Sequence, residues 1–317
     1  MDSVLQNDIV DRLAARMESL LASWPINGLS IPDPNQIIAT RRIIGYYDCL
    51  AQDYIDTQKH LTTKFGAGVC DAFNRCVLIK MLLSFALAPN LPKTSPPWLR
   101  QSFVEKIELI AERVLNAPEG EYAQNSDPLI KDIRVLGGVS FPMKHNVVDW
   151  HAYLPRTFYR HRGWKENVRA FWFVTFRAGG LGPYLRNHID PRLTEVRRQT
   201  SQEVQHRMTA EVLESCPHIL GSVSNSWLSD PALEWVSPRH WARDANARVL
   251  RSFFRRDGYT EVDLERALST SKRRRQLYEE GKYRPCSCTT IILRERYLEF
   301  LYEKRREDAN ADAKQSR

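Results

Sequence analysis

Two histidine and carboxylate spacings contain the residue types in this sequence that could do metal chemistry. His188 and Asp190 stand two apart at the end of a predicted strand. Facial-triad iron sites combine such a pair with a second histidine, for which His240 is available. Glu203 and His206 form an ExxH spacing within a predicted helix, so their side chains lie on the same face of that helix. Asp190 also fits as the N-cap before Pro191. The pattern leaves iron as an alternative cofactor, and no metal is the first expectation.

The basic residues are unevenly distributed along the chain. Residues 1–150 hold 15 Lys and Arg against 17 Asp and Glu, and the remaining residues hold 31 against 21, so the net charge of +8 comes from the second half. This excess indicates an anionic partner or a solvated basic face. The densest run, at 272–275, is followed at once by QLYEE, and no known nucleic-acid motif accompanies it. Nucleic acid is therefore an unlikely partner on sequence grounds.

Several common site classes lack their sequence signature. There is no GxGxxG, no GxxxxGK[ST] and no GxSxG, and the six cysteines fit no usual zinc spacing. The longest apolar stretch, 76–88, contains Lys80 and is too short to span a bilayer. No basic signal-peptide start precedes it. These features predict a cytoplasmic protein with reduced cysteines and no membrane partner.

The first third of the chain has helical periodicity. Apolar residues recur at helical spacing over 4–24, 69–88 and 95–115, and Asp33 with Pro34 is typical of a capped helix start, here expected to run to about 64. The polar segment 116–128 reads as a boundary. We expect a helical domain over 1–117.

Short β-like runs alternate with helical patterns after the boundary. Strands are predicted near 130–139, 184–189, 219–228, 247–254 and 288–293, with helices near 192–215 and 271–280. The aromatic run that contains Phe171, Trp172, Phe173 and Phe176 is expected to be buried in the core. The prediction is an α+β fold with a helical N-terminal region packed on a mixed-sheet domain over 130–305, and a disordered tail over 306–317.

The segment from Ser224 to Asp230 is polar for a strand. Asp230 precedes a proline and is expected to cap a helix by accepting a backbone N–H. Ser224 and Asn225 either line a ligand site or satisfy the turn that follows. Both interpretations stay open at this stage.

Three stretches carry a resemblance to known proteins. They are GGLGP at 179–183 continuing to Asp190, SWLSDPAL at 226–233, and RRRQLYEEGKYRP at 273–285. Over about 155–300 the chain resembles an uncharacterised bacterial protein family. That resemblance implies an ordered domain and no particular activity.

The same region is similar to the GNAT acyltransferases. LYEEGKY at 277–283 resembles the LYExxGF that stands before the last strand in that family. The resemblance implies that Tyr278 protonates the departing thiolate of CoA, and that two parallel strands splay apart within 184–228. The family's glycine-containing pyrophosphate loop corresponds here to RRQTSQ at 197–202, which contains no glycine, and glycine there lets backbone N–H groups approach phosphate.

The sequence thus favours an acyl-CoA-dependent N-acyltransferase of specialised bacterial metabolism that acts on a small-molecule amine. His188, Asp190 or Glu203 would serve as the base, with Tyr278 as the acid. The residues expected to contact acyl-CoA are Arg192, Arg197, Arg198, Ser224 and Asn225. The alternatives are a non-haem iron oxygenase that uses His188, Asp190 and His240, and a non-enzymatic domain that binds an anion or a protein.

Overall fold

The computed structural model describes most of the chain. The described residues are 5–24, 30–45, 48–85, 91, 94–160, 163–193, 196, 200–243, 245–269 and 271–315. No helix among them is both long and apolar enough to cross a membrane.

The chain forms helices and strands in the following order. The α-helices are α1 (Asn7–Ala22), α2 (Pro34–Ile37), α3 (Gln52–Phe65), α4 (Ala67–Leu83), α5 (Pro97–Asn116), α6 (Asp127–Leu136), α7 (Trp164–Trp172), α8 (Gln202–Ser215), α9 (Leu233–Val236), α10 (Pro238–Arg243), α11 (Ala245–Leu250), α12 (Glu261–Ser269), α13 (Lys272–Glu279) and α14 (Arg294–Gln315). The strands are β1 (Ser140–Met143), β2 (Asn146–Ala152), β3 (Tyr184–Ile189), β4 (Gly221–Ser226), β5 (Phe253–Gly258) and β6 (Ser287–Leu293).

The strands form a six-stranded mixed sheet in the order β1-β2-β3-β4-β6-β5. β3 and β4 are parallel, whereas the β1–β2, β4–β6 and β5–β6 pairs are antiparallel. The described residues before 117 contain helices and one isolated bridge, between Ile38 and Leu50. The predicted α+β class is confirmed.

The chain divides into two compact units. The first comprises Met1–His151 with His188–Arg197, and the second comprises Ala152–Asn187 with Arg198–Arg317. β3 therefore contributes its first four residues to the second unit and its last two to the first.

Helix α4 forms the centre of the first unit. It is apolar around most of its circumference, as a fully buried helix is, and it packs against α1, α3, α5 and α6. Its buried polar residues have partners: Arg75 pairs with Asp71 at 2.7 Å, and the Asn74 amide donates to the Tyr122 carbonyl oxygen at 2.7 Å. These contacts remove the cost of burying polar groups.

The sheet of the second unit has an apolar core on one face. Val223, Phe253 and Ile291 from three strands pack there against Phe158 and Phe173. On the opposite face, helix α14 packs against α8. The Tyr297 hydroxyl lies 2.8 Å from the Ser222 hydroxyl, so α14 is also tied to β4.

Gly221 is required where β4 lies closest to β6. Its φ is +149°, and a Cβ atom there would lie 2.1 Å from the Ile292 carbonyl oxygen. Only glycine fits so close an approach of two backbones.

Three element predictions are wrong. Residues 130–136, predicted as strand, lie in α6, because the Ser126 hydroxyl caps that helix by accepting from the Leu129 N–H at 3.4 Å. The helix that starts at Pro34 ends at Ile37, since the chain then forms the bridge between Ile38 and Leu50. Residues 247–250, also predicted as strand, lie in α11, and β5 begins only at Phe253.

The end of the chain is helical as far as Gln315. Residues 306–315, for which a disordered tail is predicted, continue α14. Lys304 pairs with Glu307 at 2.8 Å within the helix, and Arg207 of α8 pairs with Asp308 at 2.8 Å. These exposed pairs and the alanines of this segment favour helix.

The predicted burial of the aromatic run is correct for Phe173 only. Phe173 is buried and stacks on Phe253 at 4.7 Å between ring centroids. Phe171, Trp172 and Phe176 are more than half exposed. Because a helix presents only part of its circumference to the sheet, the remaining aromatic side chains point to solvent.

Candidate functional site

The β3–α8–β4 crossover forms a gap in the sheet of the second unit. β3 and β4 run parallel, and their ladder contains a single pair, Leu185 with Ser222. On its other side β4 makes six pairs with β6. In open α/β sheets, ligands bind outside the carboxyl ends of such parallel strands. The carboxyl end of β4 is therefore the first place to look for a site.

A polar cluster lies at that end of the sheet, on the same face as the apolar core. The Asp257 carboxylate accepts from Arg255 Nε at 2.7 Å, Asn225 Nδ2 at 2.9 Å and Thr289 Oγ1 at 2.5 Å. Asn225 also donates to Thr289 Oγ1 at 3.1 Å. The Asn225 side chain is thus held by neighbouring strands, although it is exposed.

Ser224 faces the opposite side of β4. It is half-buried and stands directly across from Thr290 of β6. The Thr290 hydroxyl is buried and has no hydrogen-bond partner among the described residues. Buried polar groups are normally paired, so the Thr290 hydroxyl is an exception within the described part of the chain.

The carboxylate of Asp230, which follows β4, joins three segments of the chain by hydrogen bonds. It accepts from the Ala232 and Cys286 backbone N–H groups, each at 3.1 Å, and from Arg256 at 3.1 Å. Asp230 accepts a backbone N–H as predicted, but it does not cap helix α9, whose N-cap residue is Ala232. A short 3₁₀ turn, Trp227–Ser229, separates β4 from Asp230.

In the first unit, a histidine–aspartate pair lies where β3 ends. His188 Nε2 is 2.8 Å from Asp149 Oδ2, and the His188 side chain is 18% exposed whereas that of Asp149 is fully buried. Ser140 donates to Asp149 at 2.7 Å. Arg134 Nη2 lies 2.6 Å from Asp149 in the geometry of an ion pair and not of an aligned hydrogen bond.

The charge of Asp149 is maintained by these neighbours. Burial alone raises the pKa of the Asp149 carboxyl, but His188 and Arg134 lower it by more, so that its pKa lies below the usual range. A carboxylate beside a ring nitrogen fixes the tautomer and orientation of a histidine. The pair has the form of an oriented general base that is partly open to solvent.

Asp190 lies in a buried network of two acids and two bases. It accepts from Lys106 Nζ at 2.9 Å and from Arg192 Nε at 2.9 Å. Arg192 also binds Asp132 through two bonds, at 2.7 and 2.8 Å, and Tyr122 donates to Asp132 at 3.2 Å. The four charges balance, as buried charges must.

The network keeps Asp190 ionised. Burial raises the pKa of Asp190, but Arg192 and Lys106 outweigh it and bring that pKa well below its usual range. To act as a base or to bind iron with His188, Asp190 would have to leave both cations. Arg192 would likewise have to leave two carboxylates to bind a phosphate.

The remaining predicted residues are in or beside the second unit's helices. Glu203 is exposed in the first turn of α8 and pairs with Lys304 at 3.3 Å. Tyr278 is half-buried on α13, which Ser271 caps and which ends before Gly281, whose φ is +69°. Arg197, Arg198 and the His240 side chain lie outside the described residues. Within the described part of the chain, no three His, Cys, Asp or Glu side chains are grouped to hold one metal ion.

Sequence reasoning missed the partners of His188 and Asp190. Asp149 stands among apolar residues in β2, and Lys106 stands between Phe103 and Ile107 on the buried stripe of α5. A charged residue at an apolar position is the signal that could have found both. The chain matches no family model, no curated protein and no solved structure in the comparisons with known proteins.

Proposed function

We propose that this protein is an acyl-CoA-dependent N-acyltransferase of GNAT-like type that acts on a small-molecule amine. One observation carries the proposal: β3 and β4 are parallel, are joined through α8, and pair only at Leu185 and Ser222. A ladder that stops after one pair leaves the backbone of β4 beyond Ser222 without hydrogen bonds from β3. An extended acyl-carrying chain can occupy such an opening, as peptides do at a sheet edge.

The residues around β4 partly fit acyl-CoA. The half-buried Ser224 supplies a polar side chain on β4, the strand that borders the opening. The N-terminus of α8 is a general anion site, but Ser201 already caps it by accepting from Val204 at 3.2 Å, and Glu203 adds a negative charge in the first turn. The fit is therefore better for the acyl-bearing arm than for the phosphates. Acyl-CoA would supply the acyl group as a reactive thioester.

Of the three candidate bases, His188 is the one that a buried carboxylate orients. Asp149 fixes Nε2 as the nitrogen that donates, so Nδ1 would accept the proton from the amine nitrogen. Asp190 is a weak base because two cations hold its carboxylate, and Glu203 is an exposed ion-pair partner. Asp190 would act as a positioning residue for the end of β3.

Tyr278 keeps the role of acid in this proposal. It would donate its phenolic proton to the departing thiolate. The support for this role is the resemblance of LYEEGKY to the family motif, together with the capped and terminated helix α13 that carries the tyrosine.

The experiment has a binding arm and a turnover arm. Calorimetry with CoA and acetyl-CoA tests binding, and release of free thiol over a set of primary amines tests transfer. His188→Gln should retain CoA binding and lose about 100-fold or more in kcat, the usual contribution of a general base. Tyr278→Phe should lower kcat as well, and Tyr302→Phe, at an exposed tyrosine of α14, is the matched control.

The proposal fails if millimolar CoA neither binds nor stabilises the protein. It also fails in part if CoA binds and transfer proceeds unchanged in His188→Gln, because the base would then lie elsewhere. Iron that copurifies with the protein and is lost with His188→Gln would support the oxygenase alternative instead.

A further inference from the structure

Helix α7 and the π-helical turn Phe173–Arg177 that continues it carry an unusual exposed surface. Five large apolar side chains recur there at helical spacing, and each is between 51% and 71% exposed. We call them the aromatic stripe: Trp164, Val168, Phe171, Trp172 and Phe176. Single exposed apolar residues need no explanation, but a contiguous set of this kind marks an interaction site.

The stripe is held rigidly from beneath. Ala170, Phe173 and Val174 on the opposite side of the same helix are buried in the core of the second unit. Tyr159 packs edge-on against Phe171 with 5.7 Å between the ring centroids, and the ring centroids of Trp172 and Phe176 are 6.4 Å apart. The exposed rings therefore cannot turn into the core without displacing residues that already fill it.

The charge around the stripe is strongly positive. Residues 152–187 contain seven Lys and Arg and one acid, Glu166, a net charge of +6. Lys165, Arg169 and Arg177 are exposed on the helix itself, and Arg156 and Arg160 are exposed on the segment before it. The surface thus combines two tryptophans and two phenylalanines with a basic border.

A cavity continues this surface at its C-terminal end. Its volume is about 330 Å³, with Trp172 and Phe173 on its walls and Arg177, Arg251 and Arg296 among its lining residues. Glu295 also lines it and pairs with Arg177 at 3.5 Å. The cavity is large enough for a small anionic group next to the aromatic rings.

We propose that the aromatic stripe docks the protein on an anionic phospholipid bilayer surface. A helix with tryptophan and phenylalanine on one side and Lys or Arg beside them lies in the membrane interface. The basic border complements anionic lipid headgroups. This docking needs no spanning segment, and it replaces the expectation from the sequence that the protein has no membrane partner.

Two other occupants fit the observations less well. In a two-fold interface between copies, the same basic border would be brought close to itself, which like charges oppose. Single-stranded nucleic acid is bound in basic grooves with stacking rings, whereas the stripe projects from a convex helix and includes an aliphatic Val168.

The test is sedimentation of the full chain with vesicles. Vesicles of phosphatidylcholine with about 30% phosphatidylserine should retain the protein, and pure phosphatidylcholine vesicles should retain about tenfold less. Raising NaCl from about 0.1 to about 0.5 M should release it.

Paired variants identify the surface. Trp164→Ser with Phe176→Ser should lower the partition coefficient about tenfold or more, and Lys165→Glu with Arg169→Glu should do the same. Trp235→Ser, at a tryptophan that is 49% exposed outside the stripe, should leave it unchanged. Circular dichroism checks that each variant is folded, as expected for exposed positions.

Four outcomes would overturn the proposal. They are no retention by anionic vesicles, equal retention by neutral ones, equal loss in Trp235→Ser, and tighter binding to a single-stranded oligonucleotide that the same stripe variants abolish. A concentration-dependent dimer that the stripe variants dissociate, without any vesicle binding, would assign the surface to self-association instead.

Discussion

Replacing Asp190 by asparagine tests the buried ion network of the first unit. The change leaves Lys106 and Arg192 facing one carboxylate, Asp132, and so leaves one buried positive charge without a partner. It also weakens the charge-assisted bonds that Asp190 accepts at 2.9 Å from Lys106 and at 2.9 and 3.0 Å from Arg192. Breaking one partner of a buried pair costs about 3 to 5 kcal/mol.

Urea unfolding followed by circular dichroism measures this loss. For a typical m-value, the expected free-energy change corresponds to a fall of about 1 to 2 M in the midpoint. The control is Glu112→Gln, because Glu112 pairs with Arg12 at 3.0 Å in the same unit but both side chains are more than 40% exposed. Such an exposed pair contributes about 0 to 1 kcal/mol.

A second variant tests charge balance directly. Lys106→Met combined with Asp190→Asn removes one charge of each sign and leaves Arg192 on Asp132 through two bonds. The double variant should therefore be more stable than Asp190→Asn alone. If Asp190→Asn costs no more than Glu112→Gln, or if Lys106→Met destabilises it further, the two cations do not share this carboxylate.

The network should also respond to acid. Because the folded-state pKa of Asp190 lies below its ordinary value, the stability it contributes is present above the unfolded-state pKa and is lost as the pH falls below it towards the folded-state pKa. Asp190→Asn should abolish this part of the acid dependence.

Three further predictions concern the second unit. Burial lowers the pKa of His206 to about 4. The free energy of unfolding should therefore fall by about 1 to 2 kcal/mol between pH 8 and pH 5, because the unfolded chain takes up the proton. A His206→Gln variant should lose this pH dependence in urea unfolding. Gly221→Ala should lower the free energy of unfolding by about 3 kcal/mol or more, because a Cβ would meet the backbone across the β4–β6 ladder. The control, Gly258→Ala, has open space around a φ of +100° and should lower it by about 1 kcal/mol. Equal urea midpoints for the two variants would contradict the close approach. Asn225→Ala with Trp227→Ala should fold and lose ligand binding if β4 lines the site, and a variant that retains every ligand and activity would make β4 scaffold.

Local sequence signals predict those helices and strands whose ends are marked by capping or turn residues. β3, β4 and β6 lie within a few residues of their expected positions, whereas α8 ends at Ser215 as expected but begins at Gln202, ten residues after its predicted start. Ser271 and Gly281 start and stop α13 as their types dictate. A capping residue interacts with backbone groups within four residues of it, so a short stretch of sequence is enough to predict the cap.

Features that depend on distant partners were missed. Asp149 and His188 are 39 positions apart, and Lys106 and Asp190 are 84 apart, so no local pattern connects them. The prediction of a strand at α6 is wrong although local signals for a helix are present, because Leu129, Ile133 and Leu136 recur at helical spacing after the Ser126 cap. The predicted burial of Phe171, Trp172 and Phe176 is wrong because composition cannot tell which rings of a helix meet the sheet.

The return of His188–Arg197 to the first unit has a consequence during synthesis. When residue 151 leaves the ribosome, Lys106 and Asp132 have already emerged, but Asp190 and Arg192 have not. The first unit must therefore wait for about 40 more residues before its internal charges are complete, and the intervening stretch is the one that bears the exposed tryptophans. Its final packing therefore follows the synthesis of residues 152–187 of the second unit, although most of its own sequence precedes them.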